Sequence, residues 1–346
     1  MNRSFFTRIV SAGALVVATI ASVPAHAGPY SSLFVFGDSL SDSGNNYLAG
    51  AYDPSQVITG NTYIPSYTYA VGGVPTGAYS NGPVWASYFA SMIGVPLLPS
   101  LAGGGNYAFG GATTGPVASP PPGGPFPPSL LTQTQMFLGS HPGPGGAPAD
   151  ALYVVAGGGN NARAGLTAML GGADPVATAF ATATAFAADV GTIVDELQAA
   201  GAQHIVVWNT PHLGLAPAVV AGGGAGAGSF LASVMNQALA ARLSIETDVT
   251  TFDLFGFGTL LATNPGAFGI SNITTACGSV SGADCSQYAY WDGIHPTTAA
   301  HYAIAGAMYA AAVPVPEPET YALLAFGLVA VALQARRRAK RSAIAA

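Results

Sequence analysis

The sequence predicts an α/β domain built on a parallel sheet. Two observations carry this. Short continuous apolar runs recur along the chain, and helix-compatible segments lie between them. Runs of four to eight apolar residues suit strands covered on both faces, as in a parallel sheet. Strands alternating with helices point to βαβ organisation.

The elements follow in order. Ser32 to Phe36 is the first strand and ends at Gly37-Asp38-Ser39. Leu152 to Ala156 is the second and ends in Gly157-Gly158-Gly159-Asn160. His204 to Trp208 is the third, and Val249 to Phe255 a weaker fourth. Pro175 to Ala200 reads as a helix, with proline near its start and Gly201 at its stop. Ser229 to Thr247 is a second. Thr297 to Ala312 is the last, with Thr297 as N-cap. Residues 115–148 hold ten prolines and many glycines, which predicts a long loop or flap with no regular element. Gly222 to Gly228 reads as a flexible connector. No internal repeat of 20–50 residues is evident.

Composition narrows the function classes. Of 346 residues, 50% are hydrophobic and 7% charged, and the net charge is -6. Disordered chains are apolar-poor and charge-rich, so disorder is excluded. The glycines lack the three-residue period of collagen. The acidic balance argues against a nucleic-acid partner. A membrane span needs about 20 consecutive apolar residues, and only the two ends approach that.

Those ends read as addresses. In residues 1–27, Arg3 and Arg8 precede an apolar stretch, Ile9 to Val23, and then Ala25-His26-Ala27. This is a secretory signal peptide pattern, with signal peptidase leaving Gly28 as the mature start. The alternative is an amphipathic helix, but the stretch is apolar all round. At the other end, Val315-Pro316-Glu317-Pro318 precedes the apolar run Tyr321 to Leu333. Arg336, Arg337, Arg338, Lys340 and Arg341 follow. Residues 314–346 thus resemble a PEP-CTERM sorting signal. That resemblance implies transient anchoring by the C-terminal helix and cleavage by an exosortase-type membrane enzyme. It also implies delivery to the cell surface or extracellular matrix of a Gram-negative bacterium. A plain membrane anchor is the alternative.

Residues 28–313 remain as the central domain. They hold two basic residues, Arg163 and Arg242, against thirteen acidic ones. Long-range repulsion of polyanions favours a neutral substrate. Cys277 and Cys285, the two cysteines, form a close even pair that predicts a disulfide in an exported chain. Its short loop is worth about 2–3 kcal/mol.

Four segments carry chemistry. Ser39 follows a buried strand at a glycine-bearing turn, where a hydroxyl is presented at the sheet's ligand-binding rim. Asp292-Gly-Ile-His295-Pro296 places a carboxylate and an imidazole on one turn. Such a pair makes a serine nucleophilic: the imidazole takes the proton and the carboxylate fixes its tautomer. Gly105 to Thr114 and Gly157 to Asn161 are Gly-rich turns with an Asn, able to aim N–H groups at a developing oxyanion. Neither is a GxGxxG or P-loop pattern. Acidic residues form no metal cluster, and neither metal nor cofactor is expected.

In this order, the four segments resemble the GDSL or SGNH hydrolase family, from about Ser31 to Ala312. The resemblance implies a flavodoxin-like three-layer α/β/α fold with a central parallel sheet, and ester hydrolysis. By motif match, Ser39 is the nucleophile, Asp292 the triad acid and His295 the base. The oxyanion hole combines the Ser39 N–H, an N–H of Gly111 (or Gly110, one register away) and the Asn160 side chain. Asn161 stands where the family usually has Asp, which questions local hydrogen bonding. Asp38 reads as a turn-stabilising acid, and Ser41 and Ser43 as loop residues. His212 is a candidate substrate contact at the same rim, while His141, His204 and His301 read as structural or exposed. The reading is an exported esterase or lipase acting on a lipid or short acyl ester. The alternatives are a polysaccharide O-acetyl esterase and a matrix or adhesion protein that keeps the fold without the chemistry.

Overall fold

The computed structural model describes residues 29–115, 126–313 and 326–334. The expected signal peptide, residues 1–27, and most of the C-terminal sorting segment lie outside them. Four parallel strands form the sheet: β1 (Leu33–Gly37), β2 (Leu152–Ala156), β3 (His204–Trp208) and β4 (Val249–Phe252). They pair in that order and in register, Val35 with Val154, Val154 with Val206, and Val206 with Thr250.

Residues 105–109 lie along the other side of β1. Val35 N donates to Gly105 O at 3.0 Å, Tyr107 N to Val35 O at 2.7 Å, and Phe109 N to Gly37 O at 3.1 Å. With this segment counted as the second strand in chain order, the spatial order is 2-1-3-4-5, the flavodoxin-like doubly wound order. The chain leaves β1 to one side and later returns to the other. The crevice at this switch point opens beyond the carboxyl ends of β1 and β2, where open α/β sheets bind ligands.

Alternation along the strands supplies two cores. Phe34, Phe36, Tyr153, Val155, Ile205 and Val207 face one side. There they meet α2 (Leu130–Ser140), α3 (Gly159–Leu170), α4 (Pro175–Ala199) and α5 (Ala225–Leu243). Leu33, Val35, Leu152, Val154, Val206 and Trp208 face the other. That side is covered by α1 (Trp85–Ile93), α6 (Leu254–Thr263) and α7 (Thr298–Ala312). Strands buried on both faces are why the sequence shows unbroken apolar runs.

The caps follow the sequence. Asp174 accepts from Ala177 N at 2.7 Å at the start of α4, and Thr297 from Ala300 N at 3.1 Å at the start of α7. Helix α4 is long and apolar enough to cross a membrane, but Ala183, Phe186, Val190 and Val194 bury its inner face in the core. Cys277 and Cys285 are bonded to each other, with Cα atoms 5.6 Å apart. Residues 326–334, within the apolar C-terminal run, are helical.

Two expectations are corrected. The span 115–148 contains helix α2, capped by Ser129. Its prolines cluster at 116–128 and 142–148, leaving a proline-free window of one short helix. The stretch 222–228 is not a free connector, because α5 starts at Ala225. One of its glycines serves close packing against Gly214: a Cβ on Gly228 would sit 3.2 Å from Gly214 N, and one on Gly214 2.3 Å from Ala225 O.

A Cβ on Gly105 would lie 2.2 Å from Leu33 O, a backbone atom that cannot swing away. Gly105→Ala is therefore expected to cost about 2–3 kcal/mol. Thermal unfolding measures this, and an unchanged midpoint would refute the edge pairing.

Candidate active site

Strand β1 ends at Gly37, and Gln133 from α2 continues its pairing. Gln133 Oε1 accepts from Gly37 N at 2.8 Å, and its Nε2 donates to Gly37 O at 2.9 Å. The chain then turns sharply. Ser41 N and Asp42 N both donate to Asp38 O at 3.0 Å, and Leu40 N donates to Asp38 Oδ1 at 3.0 Å. Ser39 sits at the tip of this turn, 9% exposed.

The Asp292–His295 turn comes from the far end of the chain. Asp292 Oδ1 accepts from Ile294 N at 2.8 Å and His295 N at 2.7 Å, which closes the turn. Asp292 Oδ2 lies 2.7 Å from His295 Nδ1. His295 Nε2 lies 2.8 Å from Ser39 Oγ. A carboxylate on Nδ1 holds that nitrogen protonated, which leaves Nε2 as acceptor for the serine proton. Tyr69 OH also donates to Asp292 Oδ2, at 2.8 Å. Asp292 is fully buried, and its four hydrogen bonds replace the water it has lost.

The Gly-rich segment adds donors. Gly110 N donates to Asp42 Oδ2 at 2.9 Å. Gly111 (φ 85°) donates to no described residue, and neither does Ser39 N. The Gly110 N–H is thus occupied, whereas the Gly111 N–H meets no described acceptor. Asn160 Nδ2 uses one hydrogen on Ala112 O at 2.8 Å, and its Oδ1 accepts from Arg163 at 3.2 Å. Ser39, Gly111, Asn160 and His295 line one cavity. Asn161 is locally satisfied. Its Oδ1 accepts from Thr114 N at 3.1 Å and its Nδ2 donates to Thr114 Oγ1 at 2.9 Å, which itself donates to Asp189.

Asp42 clamps this corner. Its oxygens accept from the N–H groups of Gly44, Asn45, Asn46 and Gly110. Burial pushes the Asp38 and Asp42 carboxyls up to about 6. Desolvation is the largest cause, opposed by the backbone hydrogen bonds.

The family model for the GDSL-like lipase/acylhydrolase matches residues 33–308. The chain belongs to this family. A PEP-CTERM protein-sorting motif matches residues 314–338, which indicates export and surface sorting in a Gram-negative bacterium. Esterase EstA of Pseudomonas aeruginosa is 30% identical over 342 residues, covering 86% of this chain and 49% of that protein. A GDSL esterase/lipase of Arabidopsis thaliana is 27% identical over 310 residues, covering 80% of this chain and 87% of that protein. Among solved structures, a carbohydrate acetylesterase from Sinorhizobium meliloti has a TM-score of 0.41 and 17% identity. It covers 81% of this chain and 98% of that one. The chain spans about half or less of the length of the bacterial relatives it matches.

Beyond the family's motifs, the structure adds Tyr69 and Gln133, which no local spacing marks, and Arg163, three residues after Asn160 on α3. His212 lines an apolar cavity beside Ser39, with both ring nitrogens occupied by Thr259 and Ser229 hydroxyls and its ring stacked on Phe255 at 4.1 Å. Ser41 Oγ accepts from Trp85 Nε1, and Ser43 Oγ from Asn106. His141 stacks on Phe137 at 4.3 Å, and His204 meets the Tyr30 ring at 5.4 Å. His301 is buried, and desolvation pushes it down to about 3, so it stays neutral.

The buried Asp38 sets a pH dependence. Its folded value near 6 exceeds the unfolded value near 4. The folded state therefore holds more protons between those values, and stability falls as pH rises from about 4 to about 6. The term is on the order of 3 kcal/mol. Asp38→Asn is expected to reduce the slope of denaturation midpoints across that window by about half, with Asp42 supplying the remainder. An unchanged slope would refute the assignment.

Proposed function

We propose that residues 28–313 form an exported serine ester hydrolase. The observation that carries this is the continuous chain Ser39 Oγ, His295, Asp292 at 2.8 and 2.7 Å, set beside unused N–H donors. In this reading His295 Nε2 takes the Ser39 proton as Oγ attacks the ester carbonyl. The developing oxyanion meets the N–H groups of Ser39 and Gly111 and the second Asn160 Nδ2 hydrogen. Gly111 stands at an αL turn that frees its N–H, and Arg163 holds the Asn160 amide from its oxygen side. Collapse expels the alcohol, protonated by His295, and leaves an acyl-Ser39. His295 then activates water, and the acid leaves.

A mostly apolar cavity of about 120 Å³ opens beside Ser39 and His295. Leu213, Leu215, Leu254, Phe257, Leu261 and Ile304 line it. An apolar cavity of about 150 Å³ holds a benzene ring, so this one suits an acyl chain of about four to six carbons. That favours short to medium acyl esters over acetyl groups. The sequence ends complete the proposal: removal of residues 1–27 on export, then anchoring by the C-terminal helix until an exosortase-type enzyme acts.

Ser39→Ala is expected to lower kcat on a p-nitrophenyl ester at least about 10⁴-fold. The melting temperature should change little. Retained activity in a folded variant would overturn the mechanism. For the wild type, kcat/KM should rise about tenfold from acetate to butyrate, at about 0.8 kcal/mol per buried methylene. It should fall again at dodecanoate. A flat or falling series from acetate would overturn the acyl assignment.

A further inference from the structure

A second cavity, about 270 Å³, opens on the other side of the Ser39–His295 pair. Ser39, Asn160, Arg163 and His295 line both cavities and stand between them. An ester whose carbonyl lies at Ser39 extends its acyl and alcohol parts in different directions. If the apolar cavity takes the acyl chain, the second is left for the alcohol.

The second cavity has different chemistry. Asn46, Ser66, Tyr67, Tyr79, Phe126 and Arg163 contribute to its wall. Asn46 is buried, and its Nδ2 donates to Tyr79 OH at 2.7 Å and to Gly110 O at 3.0 Å. A carbonyl oxygen only accepts, so the orientation of the Asn46 amide is fixed. Its Oδ1 is left buried without a partner. Tyr79 OH accepts from Asn46 and donates its own proton to no described residue. Arg163 spends one N–H on Asn160, and no described carboxylate lies within 4.0 Å of it. The wall therefore offers the Tyr79 hydroxyl, the remaining Arg163 N–H groups and the rings of Tyr67, Tyr79 and Phe126.

We infer that this cavity binds the alcohol part of the ester, and that this part is an uncharged polyol carrying several hydroxyls. The inference rests on the Ser39 reading above. Hydroxyls satisfy unmet polar groups, and the C–H faces of a polyol pack on aromatic rings. A plain alkyl group would leave the Tyr79 and Arg163 donors unmatched. An anionic group fits less well, because Asp38 and Asp292 both act on Arg163 and offset its positive charge. Glycerol and a hexose share the required chemistry.

The test holds the acyl group constant and varies the alcohol. Ethyl butyrate, glyceryl monobutyrate and 6-O-butyryl glucose are compared by kcat/KM. One or both polyol esters should exceed ethyl butyrate at least tenfold, and the better one identifies the source. Tyr67→Ala, at a half-exposed position, and Tyr79→Phe should each raise KM for the preferred polyol ester about fivefold more than for ethyl butyrate. Equal kcat/KM on all three esters, or equal losses in the variants, overturns the inference.

A binding measurement separates this from the Ser39 reading. Saturation-transfer NMR on the Ser39→Ala chain should detect glycerol or methyl glucoside, and Tyr67→Ala should abolish the signal. Such binding, if the wild-type chain cleaves no ester, refutes the Ser39 reading and leaves the polyol site standing. Ester cleavage without polyol binding does the reverse.

Discussion

Strand β1 has a parallel neighbour on each side, and the site depends on that constraint. Residues 105–109 lie along one edge and β2 along the other, all ending at the same rim. Ser39 follows β1 itself. Gly111 follows the first neighbour and Asn160 the second. Three segments separated by dozens of residues thus deliver a hydroxyl and N–H donors to one point. The Asp42 carboxylate fastens two of them, accepting from both the turn after Ser39 and from Gly110. Asn160 ties the third to them by donating to Ala112 O, and Gln133 pairs with both backbone groups of Gly37 at the end of β1.

Electrostatics follow from the same geometry. Asp292 is buried and accepts four hydrogen bonds, which replace the water it has lost. Of the domain's two arginines, Arg242 is committed to Asp195 and Glu246 at the surface. Arg163 alone stands beside Ser39, shared between the two cavities. The low charge of the chain leaves a cleft governed by hydrogen bonds and apolar walls, which suits an uncharged ester.

The sheet was readable because its strands are covered on both faces. Val154 and Val155 pack into opposite cores, so no polar alternation interrupts the run. The long helices announced themselves through Pro175, Gly201 and Thr297. Helices α1 and α6 gave no such signal: both are short and apolar, and periodicity cannot separate them from strands. Helix α2 was hidden by the prolines around it. At the site, Ser39, Asp292 and His295 stood out because each lies in a short turn with a motif, and the structure brings them together. Tyr69 lies 223 residues from Asp292 and Gln133 lies 96 from Gly37. Contacts at such separations leave no spacing to read. Asn161 looked like a defect against the family pattern, yet its amide both donates and accepts at Thr114.

In the proposed mechanism His295 makes Ser39 nucleophilic. Reaction of the folded chain with a fluorophosphonate, followed by intact mass and peptide mapping, reads this out at the hydroxyl itself. One phosphonyl adduct per chain, on Ser39 Oγ with loss of fluoride, is the predicted result. No adduct, or an adduct on another hydroxyl with Ser39 unmodified, would contradict the account.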